Sequence, residues 1–244
     1  MRELLENLSK EELIDFFLEY AKNDTKFANA IDVRFREPNF NEELLKIESI
    51  IDHELIGAPE SFDYDSWGDI VFNVGSVYSE IEERTDQGHI KLAFAEAELL
   101  YRKLLDIFEY QGECEVSSKA ESCLDIMSDI ADKAVLDEDK EYIFNTCIEL
   151  ANTEAGKDYG ADYEDILLRI SSKFVTPETR EKLELAVERF KRGWRAQEFA
   201  LLRYEIICNF DGIEAGDRYV AENLCFPKIR EIALNRAIIN DNFV

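Results

Sequence analysis

Apolar residues recur at intervals of three and four along this chain from Ser9 to Asn240, the period of helices that bury a face, and no alternating run is long enough for a sheet. The segment from Gly88 to Tyr110 is the most informative. Lys91, Glu98, Arg102 and Glu109 fall on one narrow stripe, Ala93, Ala97, Leu100, Leu104 and Phe108 on one apolar face, and Ile90, Phe94, Tyr101 and Leu105 on a second. A helix apolar on two faces needs two neighbours, and alanines at 93, 95 and 97 let them approach closely. That is how stacked helix pairs build a core, so the pattern predicts an array of them.

Start and stop signals divide the rest. Ser9-Lys10-Glu11-Glu12 spells a capping box, with Leu8 and Leu13 as its hydrophobic staple, and opens a helix that breaks at Lys22-Asn23-Asp24. Helices then follow at about 25–36, 41–56, 66–85, 89–110, 116–134, 138–153, 162–173, 177–191, 195–209, 213–223 and 227–239. Asn41, Asp137 and Asp162 are the expected N-caps, and Thr176-Pro177 reads as a cap followed by proline at the first helical position. The loop from Gly57-Ala58-Pro59 to Asp65 divides an N-terminal helical subunit, 1–60, from an array over 61–244 that continues it. The expected fold is all-α: antiparallel helix hairpins stacked into an irregular, tetratricopeptide-like α-α superhelix. No regular 34-residue register is present. Repetition is confined to Gly88-His89-Ile90-Lys91 and Gly212-Ile213-Glu214-Ala215, each a glycine turn that opens a helix.

Composition supports that reading. Ten glycines and four prolines in 244 residues are few chain breakers, which disfavours a turn-rich β fold. Five cysteines, Cys114, Cys123, Cys147, Cys208 and Cys225, are odd in number and mostly set in apolar helical pattern, as suits buried thiols in a reducing cytoplasm. The absence of any apolar run of about 20 residues argues against a membrane span, and the acidic start against a signal peptide.

The net charge is −26. Residues 173–244 carry 12 basic and 12 acidic side chains, so the entire imbalance lies in residues 1–172. Such a surface repels phosphates and anionic lipid, which disfavours nucleic-acid and membrane partners.

Candidate chemistry is sparse. Asp63-Tyr64-Asp65-Ser66-Trp67-Gly68-Asp69 begins like a calcium loop but places Trp67 and Val74 where the motif needs oxygen donors, so Asp63 or Asp65 reads better as a helix cap. His53 and His89, the two histidines, have no cysteine or histidine partner at ligand spacing, and His89 is expected to be exposed. No nucleophile elbow, phosphate loop or dinucleotide fingerprint occurs, so no catalytic, cofactor or metal residue is assigned. The one basic cluster is Arg189, Lys191, Arg192 and Arg195 around Trp194. Arg189, Arg192, Trp194 and Arg195 are accordingly the candidate partner-binding residues, since arginine and tryptophan dominate interface energetics. The structural alternative has cations completing a helix end and the tryptophan plugging a helix junction.

Four segments follow one another along the chain: Leu8-Ser9-Lys10-Glu11-Glu12-Leu13-Ile14 with Ala28-Asn29-Ala30-Ile31, Leu92-Ala93-Phe94-Ala95-Glu96-Ala97-Glu98-Leu99-Leu100, Trp194-Arg195, and Phe226-Pro227-Lys228-Ile229-Arg230-Glu231-Ile232-Ala233-Leu234. On these segments and their order the chain resembles the C-terminal helical region of bacterial SWIM zinc-finger proteins. The resemblance implies an α-helical superhelix of unassigned biochemical role. The family's Cys-x-Cys and Cys-x-His zinc pattern is absent here, so zinc binding does not carry over. Its acidic turn after the long helix is replaced by Tyr110-Gln111-Gly112-Glu113-Cys114-Glu115.

The expected function is a protein-protein interaction scaffold in the cytoplasm, with a metal-dependent helical hydrolase or an acidic nucleic-acid-mimicking decoy as alternatives. Its partner would be another protein or an adjoining domain. The last helix carries an apolar stripe of Ile229, Ile232, Ala233, Ala237 and Ile238, and Phe243-Val244 starts a new apolar segment. A solenoid closes with a polar cap, so this end predicts either a longer protein or self-association through the last helix.

Overall fold

The computed structural model describes residues 9–23, 38–55, 74–111, 114–153, 163–190 and 196–239, and every regular element among them is a helix. In chain order these are α1 (Lys10–Asn23), α2 (Phe40–Leu55), α3 (Gly75–Asp86), α4 (Ile90–Gln111), α5 (Cys114–Asp132), α6 (Asp137–Asn152), α7 (Glu164–Ser172), α8 (Arg180–Arg189), α9 (Ala196–Asp211), α10 (Ile213–Glu222) and α11 (Pro227–Ile239). The chain falls into two compact units, 1–43 and 44–244. The loop expected to divide it, residues 57–65, lies outside the described residues, as do the expected helix at 25–36, the Asp63–Asp69 segment and the Asp162 cap.

In the smaller unit, α1 opens on the reciprocal hydrogen bonds of a capping box. Ser9 N–H donates to Glu12 Oε2 at 2.8 Å, and Glu12 N–H donates to Ser9 Oγ at 3.2 Å. The Ser9 N–H, together with the Ser9 hydroxyl donating to the same oxygen at 2.9 Å, holds the Glu12 carboxyl below its ordinary range.

In the larger unit, α4 is buried on two sides. Ala93, Phe94, Ala97, Leu100 and Leu104 are all fully enclosed, and Ile90, Tyr101 and Leu105 nearly so. The small side chain of Ala97 lets α5 come close enough for the Cys123 thiol to donate to the Ala97 carbonyl at 3.1 Å. Burial pushes the Cys123 thiol up, so it packs as a small apolar group.

Helix packing follows one rule through the middle of this unit. Neighbours in sequence pair as α3 with α4, α4 with α5, α6 with α7, α7 with α8, α8 with α9 and α9 with α10. Each helix of the central run also packs on the helix two places along: α4 on α6, α5 on α7, α6 on α8, α7 on α9, and then α9 on α11. Helix pairs stacked side by side produce this pattern, because each must bury a second face against the next pair.

Side-chain pairs across the stack fix its register. Lys91 donates to Glu138 at 2.5 Å and Arg102 to Glu149 at 2.9 Å, both 47 residues apart, so α4 and α6 run parallel in register. Lys182 donates to Asn145 at 2.7 Å and Arg189 to Asn152, both 37 residues apart, and do the same for α6 and α8. From α9 to α11 the offset is 31 or 32, through Lys228 N–H on Gln197 and Arg236 on Tyr204. The repeat therefore shortens along the chain, which is why no fixed period is visible in the sequence.

Most expected boundaries hold within two residues, and the departures have local causes. α8 starts at Arg180, not 177, because Thr179 Oγ1 accepts from Thr176 N–H at 2.8 Å while the Thr176 carbonyl accepts from the amides of Thr179 and Arg180 at 3.1 and 2.9 Å. That closes a separate turn ahead of the helix. Asn39 takes the capping place expected of Asn41, its Oδ1 lying 3.5 Å from the Glu42 amide. Asp137 is the first residue of α6, with Leu136 in the cap position, and its charge favours the positive helix start. The two glycine turns share a backbone: Gly88 and Gly212 both sit at φ 84°, which an L side chain resists.

Candidate functional site

Two of the places where helices two apart do not pack closely hold a cavity. α3 and α5 are not among the closely packed helix pairs, and between them is a cleft of about 300 Å³ lined by Tyr78, Ile81, Ile126 and Ile130 with Glu82, Asp129 and Lys133. α8 and α10 are likewise missing from those pairs. Here the space is about 500 Å³, within the usual range of ligand pockets.

This larger groove is assembled from three helices and the turn before α11. α8 contributes Val187 and Glu188, α9 contributes Ala196, Phe199, Ala200 and Arg203, and α10 with the following turn contributes Tyr219, Glu222, Asn223 and Phe226. The groove opens where two hydrophobic clusters part. Phe199, Leu202 and Ile206 of α9 join the main core, while Ala200, Val220 and Ile229 form a small second one, with Leu201, Tyr204, Tyr219, Phe226, Ile232 and Ala233 packed around it. Ala196 and Ala200, one turn apart, add little bulk to the lining, and Phe199 is braced from behind by Phe190, stacked at 5.0 Å.

Polar groups edge this apolar lining. Arg203 pairs with Glu188 across α8 and α9. Burial raises the Tyr219 phenol above its ordinary range, with Arg203 opposing the shift and Glu188 and Cys225 adding to it. Tyr219 is thus a neutral hydroxyl at physiological pH, able to donate a hydrogen bond. Asn223 spends its amide hydrogen on the Tyr219 carbonyl at 2.8 Å. Glu222 is exposed at the rim.

Of the residues expected to bind a partner, Arg189 alone is described. It lies in the last turn of α8, one residue from the groove-lining Glu188, exposed, and its guanidinium donates to the Asn152 side chain of α6. Arg192, Trp194 and Arg195 lie outside the described residues, as does Lys191.

Sequence reasoning missed the groove. Every lining residue sits in an ordinary helical pattern, and the space arises from a packing pair that fails to form. Helix length does not mark the gap either, since α7, with 9 residues, packs on the helices two places along on both sides.

The remaining chemistry is plain. His53 is exposed, and His89 is half-buried rather than exposed, since its peptide closes the glycine turn with its N–H on the Arg84 carbonyl at 3.0 Å. Cys123, Cys147, Cys208 and Cys225 are free thiols. Among the described residues no three of His, Cys, Asp and Glu stand together as a metal site, and no helix is long and apolar enough to cross a membrane. Glu96 is buried inside the predicted apolar segment, with Arg84 of α3 at 3.8 Å. Compared with protein-family models, curated proteins and solved structures, the chain matches none.

Proposed function

We propose that this chain is a protein-protein interaction scaffold of the helical-repeat type, a tetratricopeptide-like superhelix working in the cytoplasm. The observation that carries the reading is the stack itself, in which each helix of the central run packs on the one two places along and the rule lapses at α8 and α10, where the groove lies. Stacked helix pairs present extended surfaces, and a groove with aromatic walls and a polar rim is a form such surfaces take when they hold another chain. The resemblance to the helical region of SWIM zinc-finger proteins agrees with the superhelix, and the buried free thiols of Cys123 and Cys147 with the compartment.

Purification of the tagged full-length chain from the cells that make it tests the proposal. The expected result is one or a few proteins recovered in fixed ratio to the chain, surviving a wash at moderate salt. A chain that elutes alone, without partner and without self-association, overturns it.

A further inference from the structure

The cleft between α3 and α5 combines an aliphatic lining with a surplus of one charge. The two helices run parallel and are tied at both ends of the cleft: the Tyr78 hydroxyl donates to the Lys119 carbonyl at 3.2 Å, and Lys133 pairs with Asp86 at 3.3 Å. About two helical turns, roughly 10 Å, separate the ties. Between them Ile81, Ile126 and Ile130 supply the apolar wall. One turn of an α-helix, about 10 Å across and 5.4 Å long, fills about 400 Å³. That exceeds the 300 Å³ of the cleft, which therefore admits a side chain and not a helix.

Charge narrows the choice of side chain. Glu82 and Asp129 line the cleft, stand exposed and have no ion-pair partner among the described residues. Lys133, the one cation of the lining, is spent on Asp86. Nothing around them restores the balance: α3, α5 and Lys133 together carry nine acidic and three basic side chains, within the part of the chain that holds its whole negative excess. Residues 57–73, which lead into α3, add four acids and no lysine or arginine. An acidic side chain would be repelled here, and a purely apolar one would gain nothing from the two carboxylates. A side chain with a methylene stem and a cationic head satisfies both features, because the stem can be buried while the head stays at the wet edge.

We propose that this cleft seats a lysine or arginine side chain of a partner protein, its stem between Ile81, Ile126 and Ile130 and its head at Glu82 and Asp129. The inference rests on the scaffold reading and gives it a site and a recognised chemistry.

A labelled peptide of three Gly-Ser-Lys-Ser repeats is the probe. One control peptide replaces each lysine by 2,4-diaminobutyrate, which keeps the charge and shortens the stem, and another by norleucine, which keeps the stem and removes the charge. Binding to the full chain is read by fluorescence anisotropy at about 0.15 M salt, where long-range attraction is largely screened. The lysine peptide should bind at least fivefold tighter than either control. Glu82→Gln with Asp129→Asn should weaken its binding at least fivefold, and so should Ile126→Trp, which fills the cleft. Glu141→Gln with Glu222→Gln removes the same charge from exposed positions on α6 and α10, helices that do not line the cleft, and should change binding less than twofold. Both paired variants alter exposed residues alone, so the comparison between them stands even if Ile126→Trp loses its helical circular dichroism.

Equal binding of the diaminobutyrate peptide, or equal weakening by the two paired variants, would show that net charge alone attracts the probe and would overturn the proposal. Absence of binding would do the same. A partner recovered from cells that still binds after Glu82 and Asp129 are neutralised would leave the scaffold reading standing and remove this one.

Discussion

The run from α4 to α7 and the end formed by α9, α10 and α11 follow the same local rules of helix formation, yet they hold together very differently. In the first, Phe94, Leu100, Leu104, Leu124, Met127, Ile143, Phe144, Leu167 and Leu168 are almost wholly enclosed, and each helix packs on neighbours one and two places along. In the second, the separate cluster has three buried members, Ala200, Val220 and Ile229. Because stability scales with apolar surface removed from water, the two regions should open independently, and the groove marks the seam between them.

Substitutions can break that comparison. The largest effect is expected from Phe94→Ala, which would leave a cavity that enclosed neighbours cannot fill, at a cost of about 3–5 kcal/mol in denaturant unfolding. Ile229→Ala should cost about 2 kcal/mol and melt α10 and α11 without the rest, since its thinner surroundings can relax. Equal losses, each with a single cooperative transition, would mean one core and not two.

Ala97→Phe sharpens the account of the central stack. The Cys123 thiol already touches the Ala97 carbonyl, so a bulky residue there should overpack α4 against α5 and cost about 1–3 kcal/mol. Glu98→Gln, on the polar stripe of the same helix, keeps an acceptor for the Tyr142 hydroxyl and loses only the pairing with Arg102, for about 0.5–1 kcal/mol. Gly212→Ala, which forces a side chain into a left-handed turn with open space around it, should cost about 1 kcal/mol through backbone strain alone.

The smallest effect is a pH dependence. Arg180 donates to both oxygens of Asp211, at 2.8 and 2.5 Å, and holds that carboxyl below its ordinary value of 3.8. A carboxyl with a lowered folded-state value adds stability above the ordinary value and loses it as pH falls through the lowered one. The melting temperature of Asp211→Asn should therefore lie slightly below that of the unchanged chain at neutral pH and converge with it at the acid end. A constant gap down to the lowest pH would contradict the pairing.

Much of this arrangement was legible beforehand, and the limit has a physical cause. The two apolar faces of α4, the capping box at Ser9 and the paired glycine turns are local facts, set by side chains within one or two helical turns of each other. The stacking register is not local. Lys91 finds Glu138 and Lys182 finds Asn145 across offsets of 47 and 37 residues, and a changing offset leaves no period to detect. The polar stripe of α4 was visible, but not that Tyr142 and Glu149 of α6 would meet it. The last helix shows the same limit. Ile229 is enclosed as its pattern implies and Ile232 and Ala233 are partly covered, whereas Ile238, placed on that stripe, is 54% exposed beside Leu234 at 63%.

Native-state hydrogen exchange of the full chain tests the division most directly, because amide protection reports the free energy of opening helix by helix. Amides of α4–α7 should share the slowest rates, while those of α10 and α11 exchange about tenfold faster or more, with α9 graded between them along its length. Uniform protection from α4 to α11, falling together in denaturant as one unit, would contradict it.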